Sequence, residues 1–128
     1  MRAAAAIAVD AVLVLAFVVI GRASHHDGDS LAGIVSTAWP FLAGLAIGEA
    51  ATRAWRRPAA LVPTGVGVWL ATVGFGQALR AVSGQGTDVA FIGVSAAFLG
   101  LFLLGWRAVA GRVPAARSHP AGRSGGAR

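Results

Sequence analysis

Asp10 is the residue whose type and position suggest chemistry most directly. It lies inside an apolar run that covers positions 3 to 21. If this run forms a helix, Asp10 lies about 10 Å along its axis, where a carboxylate in hydrocarbon is costly unless it is paired, protonated or hydrated. Either it binds a proton or another cation in a small transporter, or it is a structural partner for an arginine or tryptophan. We favour the structural interpretation.

Arg107 is the predicted partner of Asp10. With the N-terminus inside the cell, both residues belong to the cytoplasmic half of a four-helix bundle. A long arginine side chain can bend inward and form a charge-assisted contact with a carboxylate. Arg22 and Arg80 lie at the opposite end, so the alternatives to Arg107 are a hydrogen bond from Trp106 or from the inner loop.

Two further polar residues lie near helix ends. Glu49 precedes Arg53 by four residues, the order that favours an ion pair on one helix face, so an interfacial pair is expected. Gln77 lies one turn before Arg80 and is expected to hydrogen-bond to a neighbouring helix end.

A polar cluster is predicted at the outer face, made of Arg22, Ser24, His25 and Arg80. Imidazole and carboxylate side chains in the His25-His26-Asp27 segment are ligand types for zinc or pH sensing. Consecutive histidines do not converge on one centre, so an ordinary solvated loop is favoured over a metal site. Adjacent residues also cannot form a Ser-His-Asp relay, and there is no Walker loop, HExxH or dinucleotide fingerprint. We therefore expect no catalytic residue, metal or cofactor.

The composition of the chain indicates whether it folds in water or in a lipid bilayer. Of 128 residues, 56% are hydrophobic and 12% charged, against roughly 25% charged in soluble domains. Such a chain cannot cover a globular surface with polar groups, so the lipid bilayer is its expected environment. All eleven basic residues are arginines that lie between or beyond the apolar runs, which indicates membrane orientation rather than nucleic-acid binding. The sequence has no cysteine for a disulfide or thiolate site.

Four apolar runs cover positions 3–21, 31–51, 59–79 and 88–106, each close to the roughly 20 residues that a helix needs to cross a bilayer. The short breaks between them favour antiparallel neighbours. We predict an all-α, integral membrane, antiparallel four-helix transmembrane bundle over residues 1–108. Residues 109–128, rich in arginine, glycine and proline, are predicted to form a disordered cytoplasmic tail. A signal peptide is disfavoured for the first run because of its length and Asp10.

The arginines near the predicted helix ends set the orientation. Five lie on the side of the N-terminus and two on the other: Arg2, Arg53, Arg56, Arg57 and Arg107 against Arg22 and Arg80. Because cytoplasmic loops carry the excess of positive charge, both termini are predicted to lie inside, in the cytoplasmic membrane.

Small residues at four-residue spacing are expected to hold the helices together. They are Gly44 and Gly48 in the second helix, Thr72 and Gly76 in the third, and Gly93, Ala97 and Gly100 in the fourth. Packing within one chain is favoured over an oligomer contact, although 18 glycines also produce such spacings by chance.

Two prolines lie in the predicted helices. Pro40 is expected to kink the second helix, whereas Pro63 is early enough in the third to be tolerated. A ligand crevice at the Pro40 kink is the less favoured interpretation of this feature.

Several motifs occur in a recognisable order along the chain. After Asp10 come Gly21-Arg22-Ala23-Ser24-His25, Thr37-Ala38-Trp39-Pro40-Phe41-Leu42-Ala43-Gly44, Arg57-Pro58, Gly76-Gln77-Ala78-Leu79-Arg80, Gly84-Gln85-Gly86-Thr87 and Gly105-Trp106-Arg107. Together they resemble the bacterial, mainly actinobacterial, membrane proteins of domain-of-unknown-function family 3054. The resemblance covers Asp10 to about Arg107. It implies a four-helix integral membrane protein with no assigned activity, and it supplies no catalytic residues.

Two functions are compatible with these observations. The favoured one is a non-catalytic accessory or structural membrane protein that binds another membrane protein or a second copy of itself. The alternative is a small transporter or channel-like protein, superficially like the small multidrug-resistance exporters, in which Asp10 binds a proton or cation.

Overall fold

The computed structural model describes residues 2–24 and 30–112. This part of the chain is helical and contains no strand. Its helices are α1 (Ala3–Ser24), α2 (Leu31–Ala51), α3 (Val66–Val82) and α4 (Val89–Arg112), with a short turn, Leu61–Gly65, before α3. In this part of the chain, four segments are long and apolar enough to cross a membrane, the third of which combines this turn with α3. Each helix packs against the next, and α1 packs against α4, so the bundle closes on itself.

The helix bounds match the sequence prediction for α2 and differ for the others. The first helix continues to Ser24, and α4 continues to Arg112. Residues 109–112, assigned to the tail from sequence, therefore belong to α4. The remainder of the predicted tail, 113–128, lies outside the described residues.

The start of the third helix differs most from its predicted position at residue 59. Regular α-helix begins only at Val66, because Val62 has an extended backbone with φ −127° and ψ 130°. Val62 precedes Pro63, and the residue before a proline is sterically disfavoured in the α conformation. The hydroxyl of Thr64 donates to the Arg57 carbonyl oxygen over 2.7 Å, which attaches the turn to the preceding loop.

Side-chain caps fix the beginnings of two helices. The Ser30 hydroxyl accepts the Gly33 N–H over 3.1 Å at the start of α2, and the Asp88 carboxylate accepts the Phe91 N–H over 2.8 Å at the start of α4. Each cap satisfies a backbone donor that has no partner inside the helix. The sequence thus defines the beginnings of α2 and α4 through two polar residues that directly precede apolar runs.

The core lies between the four helices and is built from aliphatic and phenylalanine side chains. Phe17 of α1 meets Phe41 of α2 edge-to-face, with ring centroids 5.4 Å apart, a favoured arrangement of two aromatic rings. Leu99 and Leu103 of α4 are fully buried against this cluster. Pro40 is also buried and lies inside α2, which continues without interruption from Leu31 to Ala51.

Glycines allow the closest helix approaches. A Cβ atom at Gly44 would lie 2.8 Å from the Ala71 carbonyl oxygen, and one at Gly48 would lie 3.0 Å from the Val68 Cα atom. Both glycines therefore face the backbone of α3 within the same chain. Of the predicted small positions in the other helices, Thr72 lies against Gly44. Gly76 contacts the Phe41 ring and Gly100 the Trp69 ring, whereas Gly93 has open space beside it.

Candidate functional site

Asp10 and Arg107 form an ion pair inside the bundle. The Arg107 Nη2 atom lies 2.7 Å from Asp10 Oδ2, and Nη1 lies 3.0 Å from Oδ1. Both side chains are completely buried. The planar guanidinium contacts both carboxylate oxygens at once, which is the strongest geometry available to this pair of groups.

Three more hydrogen bonds surround this pair. The Trp106 indole Nε1 donates to Asp10 Oδ1 over 2.9 Å. Arg107 donates from Nε to the Pro58 carbonyl oxygen over 2.9 Å and from Nη1 to the Leu103 carbonyl oxygen over 2.9 Å. Of the two alternatives to Arg107 raised from the sequence, the hydrogen bond from Trp106 to Asp10 forms alongside the Arg107 pair. The inner loop bonds to the Arg107 guanidinium rather than to Asp10. The cluster joins α1, α4 and the loop between α2 and α3.

Glu49 is the third ionisable side chain buried at this end of the bundle, beside Asp10 and Arg107. Its side chain lies deep in the protein, with 6% of the residue exposed. Its carboxyl lies within hydrogen-bonding reach of the Asp10 carboxyl. Neither Glu49 oxygen accepts a hydrogen bond from any of the residues that the structure describes. Glu49 is thus a buried carboxyl beside an ion pair that is already complete.

The predicted Glu49–Arg53 pair does not form. The helix that carries Glu49 ends at Ala51, and Arg53 has a left-handed backbone with φ 53° in the following loop. Four-residue spacing places two side chains on one face only while the helix continues. Arg53 is exposed, whereas Glu49 points into the bundle.

Sequence reasoning missed the position of Glu49 in this cluster. A signal was present, because the end of α2 and the end of α4 are predicted on the same side of the membrane. The four-residue spacing to Arg53 predicted a partner close in sequence for Glu49, so its interaction with the distant Asp10 was not considered.

Two arginines lie at the opposite end of the bundle, where the outer cluster was predicted. Arg22 donates to the Thr37 hydroxyl over 3.0 Å. Arg80 donates from Nη1 to Gln85 Oε1 over 3.1 Å, and its guanidinium carbon lies 4.4 Å from the centre of the Phe91 ring. Both arginines line one cavity of about 530 Å³. Of the other predicted members, Ser24 is the last residue of α1, and His25 lies outside the described residues, as does the rest of the 25–29 segment.

Gln77 links α3 to α4 at a different place from the one expected. Its Nε2 atom donates to the Ser95 hydroxyl over 2.8 Å. Ser95 is the seventh residue of α4, and its hydroxyl donates a hydrogen bond to the Ile92 carbonyl oxygen over 3.0 Å. The partner of Gln77 is therefore a side chain within a helix rather than a helix end.

The fold and the cluster together define a class: small all-α proteins of four apolar helices, each long enough to cross a membrane, with an arginine–aspartate pair that closes the bundle. The chain belongs to the family described as "Protein of unknown function (DUF3054)", whose family model matches residues 7–110. The match includes Asp10, Glu49 and Arg107. No curated protein and no solved structure matches the chain.

Proposed function

We propose that this chain is a non-catalytic accessory or structural protein of the cytoplasmic membrane that acts by binding a partner membrane protein. The observation that carries the proposal is the state of Asp10. This carboxylate is completely buried and accepts three hydrogen bonds, two from Arg107 and one from Trp106. A carboxylate whose two oxygens both bind Arg107 holds helices together and is poorly placed to release that guanidinium in a transport cycle.

The energetics of burial support this structural role. Removing one partner of a buried ion pair leaves an uncompensated charge and costs about 3–5 kcal/mol. A transport cycle in which Asp10 released Arg107 would meet that cost at each turnover. The geometry therefore favours the accessory role over a transporter that uses Asp10.

The proposed orientation places both termini in the cytoplasm. Arg53, Arg56 and Arg57 are exposed on the loop between α2 and α3, at the same end of the bundle as the Asp10 pair. Exposed arginines in a short loop favour retention of that loop on the cytoplasmic side. Membrane insertion of the four helices is part of this proposal and is supported by their length and apolar composition.

Affinity purification of the full chain from host membranes in a mild detergent tests the proposal. One membrane protein recovered in fixed stoichiometry would support it, provided that Gly93→Leu, on an open helix surface, or another lipid-facing variant reduces recovery without unfolding the chain. Proteoliposomes provide the opposing measurement. A proton flux that the wild type supports and Asp10→Asn abolishes, with the variant still folded, would overturn the accessory role in favour of transport.

A further inference from the structure

The buried charges at the end of the bundle that contains the Asp10–Arg107 pair do not balance if every group is ionised. Asp10 and Glu49 are acids, and Arg107 is the base that lies among them. The Arg107 guanidinium donates two hydrogen bonds to Asp10 and two more to the Pro58 and Leu103 carbonyl oxygens, and none of these bonds goes to Glu49. An ionised Glu49 would therefore be a second buried negative charge with no donor to stabilise it, a situation that proteins avoid by binding a cation or keeping the group neutral.

We propose that Glu49 and Asp10 together form a proton-binding site, in which Glu49 holds one exchangeable proton and donates it as an O–H···O hydrogen bond to the Asp10 carboxylate. This inference does not depend on the accessory role, because it concerns the occupancy of a site inside the bundle.

The acceptor positions of Asp10 leave room for this bond. An ionised carboxylate offers about four lone-pair positions. Oδ1 accepts from Arg107 Nη1 and from Trp106 Nε1, while Oδ2 accepts from Arg107 Nη2 alone. One position on Oδ2 remains. A protonated Glu49 carboxyl is the neighbouring group able to fill it, and doing so gives the otherwise unpartnered Glu49 its hydrogen bond.

A proton fits this site better than a metal ion does. Hard cations such as Ca²⁺ and Mg²⁺ are bound by about six or more oxygen ligands. The cluster offers the two Glu49 oxygens and one remaining position on Asp10. The positive guanidinium of Arg107 also lies against the same carboxylate and would repel a second full cation, whereas a shared proton needs only one donor and one acceptor oxygen.

Few other charged groups lie near Glu49. Asp10 faces it from α1 and Arg107 acts on it from α4. The α3 helix, which packs against α2, has Arg80 as its one charged residue, at the far end of the bundle. The adjoining loop carries Arg53, Arg56 and Arg57, all of them exposed to solvent. Protonation of Glu49 is therefore governed by Asp10, Arg107 and burial.

Loss of this proton would alter how the helices hold together. Two carboxylates would then face one guanidinium, and α2 would repel α1 where the proton now joins them. Because the folded chain binds a proton that the unfolded chain releases, the folded state loses stability as pH rises. The site thus links the packing of α2 to pH.

Isotope-edited infrared spectroscopy of the purified full chain tests the proposal directly. Glu49 is the only glutamate in the sequence, so ¹³C in the glutamate side-chain carboxyl labels this group alone. We expect a protonated-carboxyl C=O band at neutral pH that shifts with the ¹³C label and shifts again in D₂O. Absence of such a band, or a band that the glutamate label does not move, would overturn the proposal.

Thermal unfolding supplies the second measurement. Between about pH 6 and about pH 9, the melting temperature of the wild type is expected to fall further than that of Glu49→Gln, since glutamine has no proton to release. Asp88→Asn is the matched control and should keep the wild-type pH slope, because Asp88 lies exposed at the start of α4. Equal slopes in wild type and Glu49→Gln would contradict the proposal. If Glu49→Gln fails to fold, the labelled wild-type band decides alone.

Discussion

Arg107 contacts both carboxylate oxygens of Asp10, a residue 97 positions earlier in the chain. This contact joins the first helix to the last and closes the bundle. The same guanidinium also bonds to the Pro58 carbonyl oxygen, so one side chain connects two helices and the loop between the other two. Burial of such a group is favourable only while all of these partners are present.

Arg107→Ala is expected to destabilise the chain by about 3–5 kcal/mol, because it strands the buried Asp10 carboxylate. Asp10→Asn should cost less, since Glu49 can give up its proton and replace the lost negative charge beside Arg107. Denaturation of the detergent-solubilised protein measures both, and the double variant completes the cycle. Arg112→Ala, on the exposed end of α4, should change stability little. Additive effects of the two substitutions would show that the pair is not coupled.

Gly48→Leu is expected to destabilise the monomer by about 1–3 kcal/mol or more, because the new side chain would meet the α3 backbone. Gly44→Leu should behave in the same way. Gly93→Leu is the matched control, since its position has open space, and it should leave the melting temperature nearly unchanged. Loss of a cross-linked dimer with no change in monomer stability would instead assign the Gly44–Gly48 face to an oligomer.

Trp69→Phe tests the connection between α3 and α4. The Trp69 indole Nε1 donates to the Ala96 carbonyl oxygen over 3.0 Å, and phenylalanine removes this donor while keeping much of the ring. We expect a loss of about 0.5–1.5 kcal/mol in unfolding free energy. Trp55→Phe, at an exposed loop position, should have little effect. Equal stability of the two variants would mean that the Trp69 bond contributes nothing measurable.

Reporter fusions test the proposed orientation. A reporter placed after Thr52 or after Arg112 should read as cytoplasmic, and one inserted in the 25–29 segment should read as exported. The physical reason is the excess of arginine at the end of the bundle that contains the loop between α2 and α3. Replacement of Arg53, Arg56 and Arg57 by glutamine should weaken this bias. A cytoplasmic reading from the 25–29 segment of the unaltered chain would contradict it.

Some long-range contacts of this fold could be predicted from the sequence, because the cost of burying a charge and the order of the helices together limit the possible partners. Asp10 needs a partner inside an apolar run, and the helix count leaves Arg107 and Trp106 as groups that can reach it. The existence and approximate position of four helices followed from apolar runs of about 20 residues. Both inferences rest on a large free-energy cost, that of burying an unpaired charge or of exposing a long apolar run to water. Few arrangements of the chain avoid these costs.

Local geometry was less accessible. Apolar composition predicts a helix across residues 59–65 but does not reveal the extended backbone at Val62, which depends on the following proline. The interaction of Glu49 with Asp10 depends on where α2 stops, and an error of one turn moves Arg53 from the same helix face to the outside of a loop. Weak local preferences of this kind are decided by tertiary contacts that a single sequence does not display.

The distance in sequence between Asp10 and Arg107 also imposes an order on biosynthesis. The ribosome adds Asp10 long before Arg107, so α1 is made while its acid still lacks a cation. Arrival of α4 is the event that completes the fold. Chains that terminate before Arg107 lack the guanidinium that pairs with Asp10, so the acid in α1 stays without its partner.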